Sequence, residues 1–347
     1  MTGYGNLHRF AIFTACATFC LIIAGGLVTS TQSGLSVPDW PNTYGHFMFA
    51  YPLDQMVGGI FFEHSHRMIA SVVGFFTVVL ALWLWKREDR RWVRNLGFTA
   101  VGAVMLQGLL GGLTVLFLLP TAISVSHATL AQTFFSIVVS LALFTSAWWR
   151  GELPRLAEHG RGVSIARVCM IATGAVYIQL ILGALMRHLH AGLAVPDLPL
   201  AYGELFPSLS PDAIAGYNHE LLLRDMRLSA DDPITAGQIV AHLLHRYWAL
   251  VTAGLIVWMS VRLLRLGAAA PRLKAIGGLL LALVSVQLGL GVMTVLSQKA
   301  VDLTTAHVAT GALILALSVL ATLHAVRLYG LPKAARAPAF TPRGAAA

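Results

Sequence analysis

Thirteen histidines are present, and four of them fall into two matched pairs. Glu63-x-x-His66-Arg67 returns later in the chain as His242-x-x-His245-Arg246, and His127 returns as His307. An ionisable side chain inside an apolar segment is costly and marks a functional position by default. Imidazoles on two facing helices of a helical bundle are suited to axial ligation of a heme iron. A di-iron centre would need carboxylates at Glu-x-x-His spacing from several helices, and only Glu63 with His66 has that spacing, so that centre is short of ligands.

Glu63 lies three residues before His66, on the same helical face, where the second half has His242. A carboxylate beside one pair only points to chemistry in the first half and electron supply in the second. The plainer alternative is an acid in a surface loop. Arg67 and Arg246 each follow a paired histidine, roughly 100° round the helix. They either meet the carboxylates of a bound heme or snorkel to the headgroups. His64 is rotated about 200° from His66 and is read as non-ligating. His188, His190 and His219 fall in or near a loop as surface groups, and His8, His46, His159 and His324 have no repeat partner.

These residues need elements to hold them, and the composition says which. The chain has 347 residues, 57% hydrophobic and only 11% charged, against about 25% charged in soluble domains. Its mean hydropathy is +0.73. Eight runs are long enough to cross a bilayer, near 9–29, 66–85, 96–118, 124–147, 165–186, 240–261, 275–297 and 304–326. The net charge of +9 does not indicate nucleic acid, because the basic residues cluster in short connections. Those connections hold Lys86, Arg87, Arg90, Arg91 and Arg94, then Arg150, Arg155, Arg161 and Arg167, then Arg262, Arg265, Arg272 and Lys274. The tail adds Arg327, Lys333, Arg336 and Arg343, whereas 29–66 has no Lys or Arg. By the positive-inside rule both termini are cytoplasmic and the paired histidines lie toward the outer face. The first run lacks a small-residue cleavage site and is read as a retained span. The short, Arg-poor N-terminus is unlike an organelle transit peptide, so a bacterial plasma membrane is expected.

The chain repeats at a period near 180. Gly34-Leu-Ser-Val-Pro-Asp-Trp-Pro41 reappears as Gly192-Leu-Ala-Val-Pro-Asp-Leu-Pro199, and Tyr44-Gly45 as Tyr202-Gly203. Gln107, Gly111 and Thr114 match Gln287, Gly291 and Thr294. The expected fold is an all-α membrane protein of eight transmembrane helices, arranged as two tandem pseudo-symmetric four-helix bundles. The first occupies residues 1–155, the second 156–330, and 331–347 form a cytoplasmic tail. An extra segment at 208–233 is read as an insertion without a catalytic role. Cys16, Cys20 and Cys169 lie inside apolar runs without CxxC or CxxCH spacing and are read as small buried apolar groups.

The sequence resembles the heme A synthase family over nearly its whole length. The resemblance rests on GLSVPDWPNTYG (34–45), VGGIFFEHSHR (57–67), SHATLAQ (126–132), HLLHR (242–246) and TTAHVATG (304–311). It implies a membrane-bound oxidoreductase that oxidises a methyl group of heme O to the formyl group of heme A for terminal oxidases. It implies that His66 and His127 line the substrate heme site and that Glu63 is catalytic. It further implies that His245 and His307 ligate a prosthetic heme b. Some members carry a cysteine pair in the first outer loop; here that loop has none, which resembles the branch that includes mitochondrial members. Heme O, the enzyme that supplies it, membrane lipid and an unidentified electron donor or acceptor are the expected partners, with homo-oligomerisation left open and no nucleic acid. The rival reading is a transmembrane bis-histidine b-type cytochrome that moves electrons without modifying heme. A heme exporter is a second rival, but Trp148-Trp149 has no following Asp.

Overall fold

Apolar segments in lipid must satisfy their own backbone hydrogen bonds, which leaves the α-helix as the available form for isolated runs. The computed structural model describes residues 2–157, 163–226, 233–266, 268 and 270–331. Among these there is no strand, only two isolated bridges. The chain order is α1 (Thr2–Ser30), α2 (Gly58–Arg87), α3 (Arg91–Leu116), α4 (Thr121–Thr145), α5 (Ala147–Arg150), α6 (Ile165–His188), α7 (Pro211–Leu223), α8 (Ala236–Leu264), α9 (Pro271–Leu296) and α10 (Val301–Tyr329). Eight of them are long and apolar enough to cross a membrane. His159, Arg161, Lys333, Arg336, Arg343, residues 227–232 of the insertion and the tail from 332 lie outside the described residues.

Helix starts are set by side-chain caps where the sequence offers them. Ser164 accepts from Arg167 N–H at the start of α6, and Thr235 with Gln238 forms a capping box at α8. Gly330, with φ of 87°, ends α10. Several helices begin before the expected spans, among them the two that carry the repeated His-Arg pair. α2 starts at Gly58 rather than near 66, and α8 at Ala236 rather than near 240. Polar residues extend these helices outward because Glu63, His64 and His242 are buried and hydrogen-bonded there. His66 therefore sits about 12 Å along α2, at 1.5 Å per residue, and not at its mouth.

Within the first half, α1 packs on α2 and α4, and α3 packs on the same two helices. Within the second, α6 and α9 each pack on α8 and α10. Contacts of α1 with α10, and of α4 with α6 and α10, join the two sets. Small residues let backbones approach closely where lipid supplies no driving force between helices. Gly97 of α3 meets Ala81 and Leu84 of α2, and Gly277 of α9 meets Ser260 and Leu263 of α8. The outward faces carry Phe13, Phe75, Met105 and Leu250, exposed as lipid-facing groups should be. Trp85 and Trp92 stand near the α2–α3 turn as an interfacial pair.

One expectation changes here, and one segment gains a role. Cys16 and Cys20 are exposed on the outer face of α1, and only Cys169 is buried, because a period of four places both on the stripe turned away from the bundle. The 208–233 insertion also has a structural task. α7 stacks Tyr217 on Tyr202 at 3.8 Å between centroids, and Asn218 exchanges hydrogen bonds with the backbone of Ile234. It braces the second outer loop.

A Cβ built on Gly277 would lie 2.8 Å from Leu263 Cβ and 3.1 Å from Ser260 O, whereas at Gly278 the nearest atom is Leu264 Cδ2 at 3.8 Å. Overpacking of this kind costs about 1–3 kcal/mol. Gly277→Val should therefore lower the melting temperature of the detergent-solubilised protein by several degrees, and Gly278→Val by clearly less. Equal shifts would show that the close approach does not limit stability.

Candidate functional site

Each paired histidine lies against a glycine of a neighbouring helix. A Cβ on Gly25 of α1 would come 3.1 Å from His66 Cε1, and one on Gly111 of α3 would come 3.2 Å from His127 Cε1. In the second half, Gly183 of α6 faces His245 at 2.9 Å and Gly291 of α9 faces His307 at 3.3 Å. Any larger residue would displace the ring, so the four glycines fix where the imidazoles stand. Gly111 and Gly291 stand out in the repeat. Gly25 and Gly183 escape notice there, although they recur at the same offset of 158 that relates Gly34 to Gly192.

Glutamines hold the rings unequally. Gln107 Nε2 donates to His127 O at 2.9 Å and lies 3.4 Å from its Nε2. Gln287 Nε2 stands 3.4 Å from His307 Nε2. Gln179 Nε2 reaches both His245 O at 3.0 Å and its Nδ1 at 3.1 Å. The matching position beside His66 is Leu21.

The Nδ1 atoms of His66, His127 and His307 are buried without a hydrogen-bond partner. Buried polar atoms are almost always paired, so these nitrogens mark places completed by a ligand. The rings of His245 and His307 have centroids 6.5 Å apart and planes at 69°. Two metal–imidazole bonds of about 2 Å plus the two ring radii account for such a separation, so the pair fits one iron ligated from both sides. Among the described residues no cluster of three or more His, Cys, Asp or Glu could hold a bare metal ion.

Arg67 and Arg246 both reach back into the loops that precede their helices. Arg67 donates from Nη1 to Asp39 O and Asn42 O, and from Nη2 to Val37 O and to Glu63 Oε1 at 2.5 Å. Arg246 donates from Nη1 to Asp197 O and Leu200 O, and from Nη2 to Val195 O and His242 Nε2. Both guanidiniums pin an outer loop to its helix. Glu63 is 3% exposed, so it is not a surface acid. Its second oxygen accepts from Val37 N–H at 2.8 Å. His242 fills the same role with its Nε2, while its Nδ1 meets Ala191 O at 2.9 Å.

The two loops share one shape. Tyr44-Gly45 and Tyr202-Gly203 are tight turns with positive φ at both residues. Tyr44 and Tyr202 donate their hydroxyls to Ser36 O and Ala194 O, each at 2.7 Å. Asp39 accepts from Tyr44 N–H and Gly45 N–H. Partial burial alone would raise its carboxyl, but these bonds outweigh burial and hold it below the usual carboxylate range. The other histidines have structural partners or stand free of the pairs. His64 lies 3.1 Å from Thr43 Oγ1 and packs on Tyr51. His8 Nδ1 meets Ala142 O, and His324 meets Leu320 O and stacks on Trp148. His46, His190 and His219 of α7 are exposed, whereas His188 is half-buried at the end of α6.

An ammonium cannot reproduce the fork that reaches four acceptors. Arg67→Lys should raise the rate of proteolytic cleavage within 36–46 several-fold while leaving the melting temperature of the helices nearly unchanged. An unchanged cleavage rate would remove the pinning role. For Asp39 the folded-state value is depressed, so its stabilisation is complete above the ordinary carboxylate range and is lost as pH falls through the depressed value. Protection of the Tyr44 and Gly45 amides against hydrogen exchange, taken relative to the intrinsic rate at each pH, should thus fall only in acid, and Asp39→Asn should abolish that pH dependence.

A family model described as cytochrome oxidase assembly protein (COX15-CtaA) matches residues 8–319. The chain is 28% identical over 345 residues to a protein named heme A synthase from Rhizorhabdus wittichii, covering 89% of this chain and 91% of that one. It is 29% identical over 358 residues to a heme A synthase from Rhodopseudomonas palustris, covering 93% and 91%. A heme A synthase from Alkalihalophilus pseudofirmus is 29% identical over 224 residues, or 62% and 71% of the two chains. The matched stretch takes in both outer loops and all four paired histidines, and the chain belongs to the cytochrome oxidase assembly protein family.

Proposed function

We propose that this protein is a heme A synthase that oxidises a methyl group of heme O to a formyl group through hydroxylation. The observation that carries this reading beyond family membership is the inequality of two otherwise matched sites. His245 has the Gln179 amide nitrogen 3.1 Å from its Nδ1 and donating to its backbone carbonyl at 3.0 Å, a partner that holds the ring in place. His66 has Leu21 in that place and an unpartnered Nδ1. A fixed ring suits a resident cofactor, and a less constrained ring suits a molecule that must enter and leave.

In this reading His66 and His127 hold the substrate heme O, and His245 with His307 holds a heme b that supplies one-electron transfer. Residues 1–155 and 156–330 form pseudo-symmetric halves about an axis along the membrane normal, with the histidine ends outward and both termini cytoplasmic in a bacterial plasma membrane. Glu63 handles protons beside the reacting methyl group. Its carboxylate is three residues from His66 and is held by Arg67 and Val37 N–H, so a proton reaching it changes the hold on the first loop as well. Arg67 and Arg246 position the loops that cover the two sites. A farnesylated heme is poorly soluble in water, which favours direct delivery by the heme O synthase, and an external electron acceptor completes the oxidation.

The protein purified after co-expression with a heme O supply should yield heme A or its alcohol precursor together with heme b on extraction and mass spectrometry. Heme b alone would favour a bis-histidine cytochrome. Glu63→Gln should keep its heme b and lose at least about 100-fold in product, the lower end for a proton-transfer group. Full product from that variant would remove Glu63 from the chemistry.

A further inference from the structure

With Arg67 and Arg246 engaged by loop carbonyls, two further cations stand near the second histidine pair. Arg187 lies four residues after Gly183, hence on the same face of α6 and one turn outward of the His245 ring. Its Nη2 donates to Ser30 Oγ at 3.0 Å and approaches Gly26 O at 3.4 Å, both on α1. Ser30 also accepts from Thr305, two residues before His307. Lys299, in the α9–α10 turn, packs its Cδ 3.4 Å from a Cβ built on Gly192 of the second outer loop. Its charge and that of Arg187 interact. Both cations are half-buried, and among the described residues neither forms an ion pair. Burial first, and then Arg187, pushes the Lys299 ammonium below its usual range. Two like charges drawn partly out of water side by side are costly until an anion joins them.

The first half keeps the frame and omits the charges. The position matching Arg187 is Thr29, whose hydroxyl bonds back to Gly25 O. The position matching Lys299 is Leu119, which has the same positive φ and packs 3.6 Å from a Cβ on Gly34, as Lys299 does on Gly192. We propose that Arg187 and Lys299 form a carboxylate clamp that retains the porphyrin held between His245 and His307, and that Thr29 and Leu119 leave the matched N-terminal site unclamped so that its porphyrin exchanges. The clamp rests on the reading of the C-terminal pair as a heme site.

The test compares heme loss from the purified full-length protein to excess apomyoglobin, for heme b and for its dimethyl ester. Wild type should hold heme b in the C-terminal site at least about tenfold longer than the ester, the value of one charge-assisted bond of about 1.5 kcal/mol. Arg187→Thr with Lys299→Leu should release heme b about as fast as the ester and lose that preference. Arg187→Lys with Lys299→Arg should restore it, which a purely structural role for the Ser30 contact would not predict. A double variant that keeps the wild-type preference would overturn the clamp while leaving the heme site intact. A wild-type protein that holds no heme b there would overturn both readings.

Discussion

A guanidinium buried at the outer end of a helical bundle must find acceptors for its donors, since an unsatisfied charged group there would destabilise the fold by several kcal/mol. In this protein the acceptors are backbone carbonyls of the outer loops. That single requirement, met twice, ties a segment some 30 to 50 residues away to each helix that carries a paired histidine. It roofs both sites, extends α2 and α8 outward beyond their apolar cores, and demands one further acceptor on the helix itself. Glu63 and His242 are two answers to that demand. One brings a negative charge to the first site, and the other brings a neutral ring to the second.

Beneath the roofs, depth and orientation come from glycine. Four imidazoles are set by four missing side chains, each on a different helix. Lipid does not drive helices together, so the packing there relies on close van der Waals approach, and a ring inserted against a bare backbone is part of that approach. The same logic governs Gly97 and Gly277 toward the opposite ends of the helices. The helices thus approach one another closely through small residues at both ends.

On this repeated frame the differences carry the specificity. The second half has Gln179, Arg187 and Lys299 where the first has Leu21, Thr29 and Leu119. Every one of these exchanges adds polarity or positive charge around the second histidine pair. Only the Glu63–His242 exchange runs the other way. A frame duplicated in sequence therefore surrounds its two histidine pairs with unlike side chains.

The eight helices, the two histidine pairs and the outer-loop repeat were legible in the sequence. Hydrophobic runs in a membrane protein must be helical, and an internal repeat supplies a comparison within one chain. The partners of Arg67 and Arg246 were not legible, because spacing along one helix says nothing about carbonyls in a loop whose path is set by its own turns. Gly25 and Gly183 went unread since glycine is common in membrane helices and only a ring packed against it distinguishes one from another. The outward face of Cys16 and Cys20 and the bracing by α7 likewise depended on which surfaces the neighbouring helices cover. Sequence alone determined which groups are present and which helices carry them. Tertiary structure decided which of their donors and charges are already engaged and which remain open to a ligand, because hydrogen-bond satisfaction is settled between elements and not within them.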